Sequence, residues 1–319
     1  MKILITGGAG YIGSVIVEHF VKKHTIVILD DLSTNKKRIV NKNATLINGS
    51  ILNERLLNKI FARYQFNLVI HLAAKTVVSE SMKKPNKYYQ HNVIGTKNIL
   101  KYMKKYGCEK IIFSSSAAVY GNSKQNFIQE KTPKKPCNPY GKTKLLAEKL
   151  IEQAGINYVI LRFFNVSGAS NSLKFGMMKK TPTLLIPAIN RLISENKKPI
   201  IYGNQYDTKD GTCVRDYVHI EDIVSACILS VSLLKKNDSG IYNLGSGKGY
   251  SVLEITKLAC KINNVKFEYS LKNNRPGDPS TLIASIEKAR KELHWKPKYS
   301  ISQMIKSDYL FLKQIKCDH

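Results

Sequence analysis

The N-terminal stretch KILITGGAGYIGS, residues 2–14, decides the fold. A short apolar run ends at Thr6 and passes directly into a run with glycines at positions 7, 10 and 13, after which an amphipathic segment begins. A glycine turn between a strand and a helix lets backbone N–H groups approach a pyrophosphate at the helix N-terminus. The stretch therefore predicts a dinucleotide site, and the residues expected to contact the dinucleotide are Gly7, Gly10, Tyr11, Ile12 and Gly13.

Asp30 ends the next predicted strand, 17 positions after Gly13. A carboxylate at this point accepts hydrogen bonds from ribose hydroxyls and repels a 2′-phosphate, which favours NAD over NADP. The basic run at 36–38 weakens that preference. An ordinary turn aspartate at the end of a strand is the alternative interpretation.

The first half of the chain alternates short apolar runs with longer amphipathic ones. Strands are predicted at 2–6, 25–30, 68–71, 110–115 and 158–162, and helices at 12–22, 52–64, 88–104 and 141–153. Alternation at this spacing indicates an α/β fold with a Rossmann-type doubly wound parallel sheet. After Asn165, loops rich in Gly, Asn and Asp take over. We expect a Rossmann domain over 1–165 with a returning segment at about 214–234, and a smaller C-terminal α/β domain over 166–319.

Composition narrows the class of protein. The chain has 319 residues, 43% of them hydrophobic, and a formal net charge of +28. It has no apolar run of the ~20 residues that a membrane helix needs, so we expect a cytoplasmic protein without a membrane partner. The lysines are scattered in pairs along the chain, which favours a solvated surface over a nucleic-acid partner; attraction of a diphosphate substrate is the other interpretation. The six cysteines form no metal-binding or disulfide pattern, and no metal is expected.

Tyr140 and Lys144 lie four residues apart at the start of a predicted helix and so share one face. A tyrosine with a pKa of ~10 is a poor base at neutral pH. A neighbouring ammonium and a positively charged nicotinamide would both favour the phenolate. We therefore expect the pKa of Tyr140 to be lowered and this residue to act as the catalytic base.

Several further motifs resemble one family. After GGAGYIGS they are HLAAK (71–75), ESMKKP (80–85), NVIGT (92–96), FSSSAAVYG (113–121), PYGKTK (139–144), RFFN (162–165), YGNQYDTKDGTCVRDYVH (202–219) and YNLGSG (242–247). Together they resemble the extended short-chain dehydrogenase/reductase superfamily, and within it the UDP-glucose 4-epimerase family. The long motif at 202–219 is the most specific of them.

The resemblance implies a reversible C4 epimerisation of a UDP-hexose with tightly bound NAD. Tyr140 takes the proton of the sugar 4-hydroxyl, Ser116 bridges tyrosine and substrate, and a 4-keto sugar turns over before it is reduced on its other face. Related 4,6-dehydratases carry an Asp-Glu pair where this chain has Ala117 and Ala118. Because alanine cannot move a proton, dehydration is not expected.

The resemblance also implies sets of binding residues. The NAD contacts, beyond those of the glycine turn, are Asp30, Asn35, Ser50, Ile51, Leu72, Ala73, Ala74, Lys75, Asn92, Tyr140, Lys144 and Phe164. The UDP-sugar contacts are Ser116, Tyr140, Asn165, Leu185, Tyr202, Arg215, Tyr217, Arg275, Asp278 and Leu282. The two arginines are expected to grip the diphosphate, because a guanidinium fork fits phosphate oxygens.

Three positions depart from the family pattern. Ser50 replaces an aspartate that contacts the adenine amino group, and Leu184 stands near a position where an asparagine contacts the substrate. Leu282 stands where glucose-restricted members carry a bulky tyrosine, so it predicts room for a 2-acetamido group. The alternatives are therefore a UDP-N-acetylglucosamine 4-epimerase or an enzyme of dual specificity. A non-catalytic NAD-binding or nucleic-acid-associated protein and a simple dehydrogenase also stay open.

Family members dimerise through two helices of the first domain. The corresponding segments of this chain are 88–104 and 141–153. The resemblance therefore implies a homodimer.

Overall fold

The computed structural model describes residues 1–34, 40–123, 125, 127–179, 181–273 and 279–317. The strands are β1 (Lys2–Thr6), β2 (Thr25–Asp30), β3 (Thr45–Asn48), β4 (Leu68–His71), β5 (Lys110–Ser116), β6 (Asn157–Phe163), β7 (Asn165–Ser167), β8 (Ile200–Tyr202), β9 (Val214–His219), β10 (Gly240–Leu244), β11 (Gly249–Ser251), β12 (Ser270–Lys272) and β13 (Thr281–Leu282). The α-helices are α1 (Tyr11–Phe20), α2 (Glu54–Tyr64), α3 (Val78–Lys83), α4 (Pro85–Tyr89), α5 (Gly95–Lys105), α6 (Pro139–Glu152), α7 (Leu185–Ser194), α8 (Ile220–Lys235), α9 (Val252–Ile262), α10 (Glu287–Glu292) and α11 (Ile301–Cys317).

The first of two compact units comprises Met1–Gly121, Lys134–Arg162 and Ala226–Tyr242. Its core is a seven-stranded sheet in the order β10-β6-β5-β4-β1-β2-β3. β1 pairs in parallel with both β2 and β4, so the strand order reverses around the N-terminal strand. This order defines a doubly wound sheet, and the predicted Rossmann-type fold is confirmed.

The apolar runs form strands because both faces of a parallel sheet are covered by helices. Leu4, Val27 and Val69 on adjacent strands are fully buried in one cluster with residues of α2, α5 and α6. α6 begins at Pro139 because the side chain of Asn138 caps it and accepts a hydrogen bond from the Gly141 N–H at 2.8 Å. The helix start that carries Tyr140 is thereby fixed.

In the first unit, β3 and α3 are among the elements that the sequence did not predict. β3 is an edge strand of the sheet, and its residues are only half-buried or exposed, which leaves a weak apolar pattern. α3 has six residues, too few to show a helical period.

The second unit comprises Asn122–Pro133, Phe163–Ser225 and Asn243–His319. β9 is central in it, because it pairs with β11, β13 and β7. α7, α9 and α11 pack on one another around a core that includes Ile189, Ile255 and Ile305. β8 and β12 form a separate parallel pair.

The expected return of 214–234 to the first domain needs correction. β9 belongs to the sheet of the second unit, and the segment that rejoins the first unit is Ala226–Tyr242, whose strand is β10. β9 stays in the second unit because the carboxylate of Asp216 accepts hydrogen bonds from the backbone of Ser246, Gly247 and Ala284.

Among the described helices, none combines the length and the apolar character that crossing a membrane requires. Among the same residues, no group of three or more His, Cys, Asp or Glu side chains is arranged to hold a metal ion.

Candidate active site

The glycine turn connects β1 to α1. Gly7 has a φ of +72°, and a Cβ atom there would lie 2.7 Å from the backbone nitrogen of Ala73. Gly10 is the N-cap of α1, and no side chain caps this helix, whose first turn carries no acidic residue. Backbone N–H groups at the start of α1 are therefore directed toward a site that favours an anion. Tyr11 and Ile12 are the first two residues of the helix and are half-buried.

Asp30 lies beside this turn. Its carboxylate accepts hydrogen bonds from the backbone N–H of Ala9 at 3.0 Å and of Leu32 at 2.8 Å. Burial raises the pKa of Asp30, and these two hydrogen bonds partly oppose that rise. A carboxylate has about four acceptor directions, so further acceptor capacity remains for ribose hydroxyls. The acid and the glycine turn together fit the adenosine and pyrophosphate parts of a dinucleotide.

The segment Leu72–Lys75 follows β4 and forms a second wall of the site. The Leu72 N–H donates to the Thr6 carbonyl at 3.0 Å, and the Ala73 N–H donates to the Thr6 hydroxyl at 3.3 Å, while Ala74 is half-buried. The ammonium of Lys75 donates to the Ser33 hydroxyl at 2.9 Å. The segment is thus tied to the ends of β1 and β2.

Asn92 lies in a π-helical turn, Gln90–Ile94, between α4 and α5. Its side chain accepts from the N–H of Lys75 at 2.8 Å and donates to the carbonyl of Lys75 at 3.0 Å. It also donates to the hydroxyl of Thr143 on α6 at 3.0 Å. π-turns inside α-helices occur frequently at functional sites. This one connects the Leu72–Lys75 segment to the helix of Tyr140.

The remaining predicted NAD contacts lie on separate segments of the chain. The Ser50 hydroxyl accepts from the Leu52 N–H at 3.1 Å, and Ile51 is buried against Gly95. Phe164 is buried in the second unit, where its N–H donates to the Leu244 carbonyl at 3.0 Å. Asn35 lies outside the described residues.

Ser116, Tyr140 and Lys144 meet where β5 and α6 face each other. Ser116 is the last residue of β5 and hydrogen-bonds the Tyr140 phenol. One turn further along α6, the ammonium of Lys144 is buried, lies 4.8 Å from the ring centre of Phe113 and donates to the Ser114 carbonyl at 2.6 Å. The rings of Tyr88 and Tyr140 are nearly perpendicular, with ring centres 6.5 Å apart.

The expected lowering of the Tyr140 pKa is not found in this structure. Burial raises the pKa of Tyr140, and the hydrogen bond with Ser116 opposes that rise in part. Lys144 is directed to the Ser114 carbonyl instead of to the phenol. Burial lowers the pKa of Lys144 to about 7, against the opposing effect of the Glu148 carboxylate. The site therefore holds a cation close to its titration point at neutral pH.

Ala117 and Ala118 follow Ser116 in a single 3₁₀ turn, Ala117–Val119. The Ser116 hydroxyl caps this turn and accepts from the Ala118 N–H at 3.2 Å. Neither alanine side chain can donate or accept a proton. Proton transfer beside this turn therefore depends on Ser116 and on the Tyr140 phenol that it contacts.

Four of the predicted substrate residues of the second unit lie on β9 and on strands paired with it. Arg215 on β9 pairs in register with Leu282 on β13 and with Tyr250 on β11. Its guanidinium donates to the Val214 carbonyl at 2.9 Å and to the Ser280 carbonyl at 3.3 Å. The arginine is thus held between two strands.

Asn165 on β7 pairs in register with Tyr217, further along β9. The Tyr217 hydroxyl is buried and has no hydrogen-bond partner in this structure, and burial raises its pKa. A buried hydroxyl without a partner is costly unless a ligand satisfies it. Tyr202 ends β8, in the separate pair of strands, and Leu185 is the first residue of α7. Arg275 and Asp278 lie outside the described residues.

Two buried residues at the catalytic site were missed from the sequence. Glu148 follows Lys144 by one turn of α6, and Arg162 on β6 binds it with two hydrogen bonds, at 2.9 and 2.7 Å. The repeat of Tyr140, Lys144 and Glu148 at four-residue steps is visible in the sequence and was the available signal.

A doubly wound sheet with this glycine turn, an acid at the end of β2 and a Ser-Tyr-Lys set defines a short-chain dehydrogenase/reductase. The family model described as GDP-mannose 4,6 dehydratase matches residues 4–307. A UDP-glucose 4-epimerase of Lactobacillus helveticus is 44% identical over 306 residues, which cover 94% of this chain and 93% of that protein.

Two solved structures extend the comparison. The UDP-glucose 4-epimerase from Bifidobacterium longum in complex with NAD⁺ and UDP has a TM-score of 0.92 at 36% identity, with 98% of each chain covered. The UDP-Glc/GlcNAc 4-epimerase from Campylobacter jejuni has a TM-score of 0.85 at 37% identity, with 98% of this chain and 99% of that chain covered. The chain belongs to the UDP-glucose 4-epimerase family, as the sequence motifs predict.

Proposed function

We propose that this protein is an NAD-dependent isomerase that interconverts UDP-glucose and UDP-galactose by reversible C4 epimerisation. One observation carries the proposal. Ser116 and Tyr140 hydrogen-bond beside a buried lysine, and the turn that follows Ser116 carries alanines in place of acids. This set can move one proton at one hydroxyl and has no second acid for dehydration. The names of the relatives support the same reaction.

NAD, when bound, supplies a reversible hydride acceptor at sugar C4 and the positive charge of its oxidised ring. The uncapped start of α1, the glycine turn and Asp30 are the groups proposed to hold it. The residues Leu72–Lys75 and Asn92 close the same site.

The chain's own residues carry the proton. The Tyr140 phenolate oxygen accepts the proton of the sugar 4-hydroxyl, with Ser116 hydrogen-bonded to both oxygens. The protonated Lys144 lies one turn away and stabilises the phenolate electrostatically. Loss of the proton from O4 and of the hydride from C4 gives a 4-keto sugar. After the sugar ring has turned, the hydride would return to the other face of C4, and the same phenol returns its proton to O4. Arg215 and Tyr217 are proposed to hold the nucleotide during this turn, together with Asn165, Leu185, Tyr202, Arg275, Asp278 and Leu282.

A second substrate class is favoured by Leu282. This half-buried leucine is the register partner of Arg215, the proposed diphosphate ligand. A leucine at this place leaves more room than a tyrosine, and the Campylobacter jejuni relative is described as a UDP-Glc/GlcNAc 4-epimerase. We therefore include UDP-N-acetylglucosamine and UDP-N-acetylgalactosamine as candidate substrates.

The test is to incubate the purified protein with UDP-galactose and, separately, with UDP-N-acetylgalactosamine, and to separate the products by chromatography. The 4-epimer should appear without net formation of NADH. Accumulation of NADH would identify a simple dehydrogenase instead. An inactive protein that binds DNA with a steep salt dependence would support the non-catalytic alternative.

We further propose that the protein acts as a homodimer. The exposed apolar side chains of Tyr89 and Leu146 lie in the two expected segments, 88–104 and 141–153. Val78 and Met82 are also exposed and lie on α3, which contacts α4 and α6. Large apolar side chains exposed on contacting helices favour an interface. Light scattering should give twice the chain mass, and Leu146→Glu combined with Met82→Glu should give the monomer.

A cytoplasmic location stays a prediction that cell fractionation tests.

A further inference from the structure

Three successive serines at the end of β5 each hold a different position of α6. Ser116 hydrogen-bonds the Tyr140 phenol, and the Ser114 carbonyl accepts from the Lys144 ammonium at 2.6 Å. The hydroxyl of Ser115 donates to the carboxylate of Glu148. The three helix positions are four residues apart and therefore share one face. The strand and the helix are joined at the catalytic residues and again one turn beyond them.

The Glu148 carboxylate, which accepts from Ser115, is also bound by a second buried charge. Glu148 and Arg162 are each about 1% exposed and form a two-point ion pair. Arg162 also donates to the Tyr120 hydroxyl at 2.8 Å. Tyr120 ends the 3₁₀ turn that Ser116 caps. A buried ion pair is no sure source of stability, because desolvation can outweigh the attraction of the charges. Its place beside the active site calls for another explanation.

We propose that Glu148 is a positioning residue of the catalytic site, clamped by Arg162 and Ser115, which holds α6 on β5 and provides the carboxylate that keeps the Lys144 ammonium charged. The proposal rests on the proposed function, because it gives Lys144 the role of stabilising the Tyr140 phenolate. Nothing in the Ser-Tyr-Lys motif itself requires an acid at this position.

The charges around Lys144 support this role. His71 on β4 faces it, but burial lowers the pKa of His71 to about 3, so this ring is neutral at pH 7. Until NAD and substrate bind, Tyr140 on the same helix is a neutral phenol, since burial raises its pKa. Among the described residues, Glu148 is the acid that acts on the Lys144 pKa and raises it. Arg162, in turn, faces Glu148 from β6.

The sign of the effect follows from burial. Burial alone disfavours the Lys144 ammonium, and the pKa of Lys144 is already lowered to about 7. Loss of the Glu148 charge lowers it further, because the ammonium loses its compensating carboxylate. At neutral pH a larger fraction of Lys144 is then uncharged, and the Tyr140 phenolate is less stabilised.

The test measures kcat of the NAD-loaded protein on UDP-galactose from about pH 6 to about pH 10. Glu148→Gln should move the alkaline limb of the profile to lower pH by about one unit, with KM changed less than about twofold. Glu152→Gln, an exposed position on the same helix, is the matched control and should leave the profile unchanged. Arg162→Lys keeps the charge but loses the two-point grip, and a smaller shift is expected.

Glu148→Gln leaves Arg162 as an unpaired buried charge and can fail to fold for that reason alone. The double variant Glu148→Gln with Arg162→Met removes both charges and avoids this cost. Its alkaline limb should also lie below that of the wild type. If the folded variants keep the alkaline limb of the kcat profile at the wild-type pH and lose kcat by the same factor at every pH, the role of Glu148 is purely structural. That result would overturn the proposal.

A substrate-free readout separates this inference from the proposed function. Side-chain NMR of isotope-labelled lysine in the NAD-loaded protein, taken as the difference from Lys144→Met, follows the titration of Lys144 directly. Its midpoint should fall in Glu148→Gln, because the buried ammonium loses its compensating carboxylate. An unchanged midpoint overturns the inference even if no sugar substrate is turned over, whereas an inactive wild type with a shifted midpoint overturns only the proposed function.

Discussion

Gly13 and Gly7 approach each other so closely that a Cβ atom on Gly13 would overlap the carbonyl oxygen of Gly7. The same Cβ would lie 2.7 Å from the α-carbon of Gly8. At Gly10, by contrast, a Cβ would be 3.1 Å from the Gly7 carbonyl oxygen, and the backbone φ of −74° suits any residue. The turn therefore depends on Gly13 for its own packing and tolerates a side chain at Gly10 more easily.

This difference predicts two distinct outcomes for alanine. Gly13→Ala should destabilise the first unit by about 1–3 kcal/mol, because the backbone must shift to relieve the overlap. Gly10→Ala should change stability by less than about 1 kcal/mol but lower the NAD content, because its methyl group lies where the pyrophosphate must approach. Thermal melting and NAD released on denaturation measure the two effects. Equal loss of stability in both variants would contradict this assignment of roles.

Tyr140→Phe removes the hydroxyl that carries the proton and leaves the ring in place. Turnover of UDP-galactose should fall by a factor of about 10²–10⁴, the usual contribution of a general base. NAD content should be unchanged, since the glycine turn and Asp30 are untouched. Tyr269→Phe, at an exposed tyrosine of the second unit, is the matched control. A Tyr140→Phe variant with near-normal turnover would mean that another group accepts the proton.

The sequence was sufficient where one local pattern specifies both structure and chemistry. Strand, glycine turn and helix lie within residues 2–20, and Tyr140 and Lys144 share a helix face by spacing alone. The hydrogen-bond acceptor of the Lys144 ammonium could not be predicted, because it is the carbonyl of Ser114, which lies in a strand 30 residues earlier. The raised pKa of Tyr140 likewise depends on burial, which is a property of the packed site.

Contacts between residues that are distant along the chain could not be predicted from the sequence for the same reason. Arg162 reads as an isolated arginine in a buried strand until the fold places it against Glu148. Which of β9 and β10 rejoins the large sheet also depends on long-range contacts, because both are short strands that flank α8. Local patterns therefore predicted the elements, while partners in space needed the structure.

Asp308 gives a prediction about pH and stability that is independent of catalysis. Its carboxylate lies buried on α11 and accepts from the Asn190 side chain at 2.8 Å. Burial raises its pKa to about 7, with the hydrogen bond from Asn190 and the charge of Arg191 opposing the rise. Between about pH 4 and about pH 7 the folded chain holds a proton that the unfolded chain releases, so stability falls as pH rises through this window.

Asp308→Asn has nothing to ionise and can still accept from Asn190. It should match the wild type near pH 4 and then become relatively more stable, by up to about 1.4 kcal/mol per pH unit, up to pH 7. Urea unfolding of both proteins at several pH values measures the difference. Asp238→Asn, at an exposed site, should show no such trend. A constant difference between Asp308→Asn and wild type would mean that this carboxyl titrates normally.

Leu282→Tyr tests which sugars the site admits. Leu282 pairs with Arg215 across β13 and β9, and a tyrosine there adds a ring beside the proposed diphosphate ligand. Turnover of UDP-N-acetylgalactosamine should fall by about tenfold or more, since a steric clash of this size costs at least about 1.4 kcal/mol, while turnover of UDP-galactose should change little. Leu271→Tyr, at an exposed position of β12, is the control for the added ring itself. If the wild type leaves both acetamido sugars untouched, the second substrate class is wrong. If the wild type and Leu282→Tyr use the acetamido sugars equally well, a residue other than Leu282 limits the size of the substituent at sugar C2.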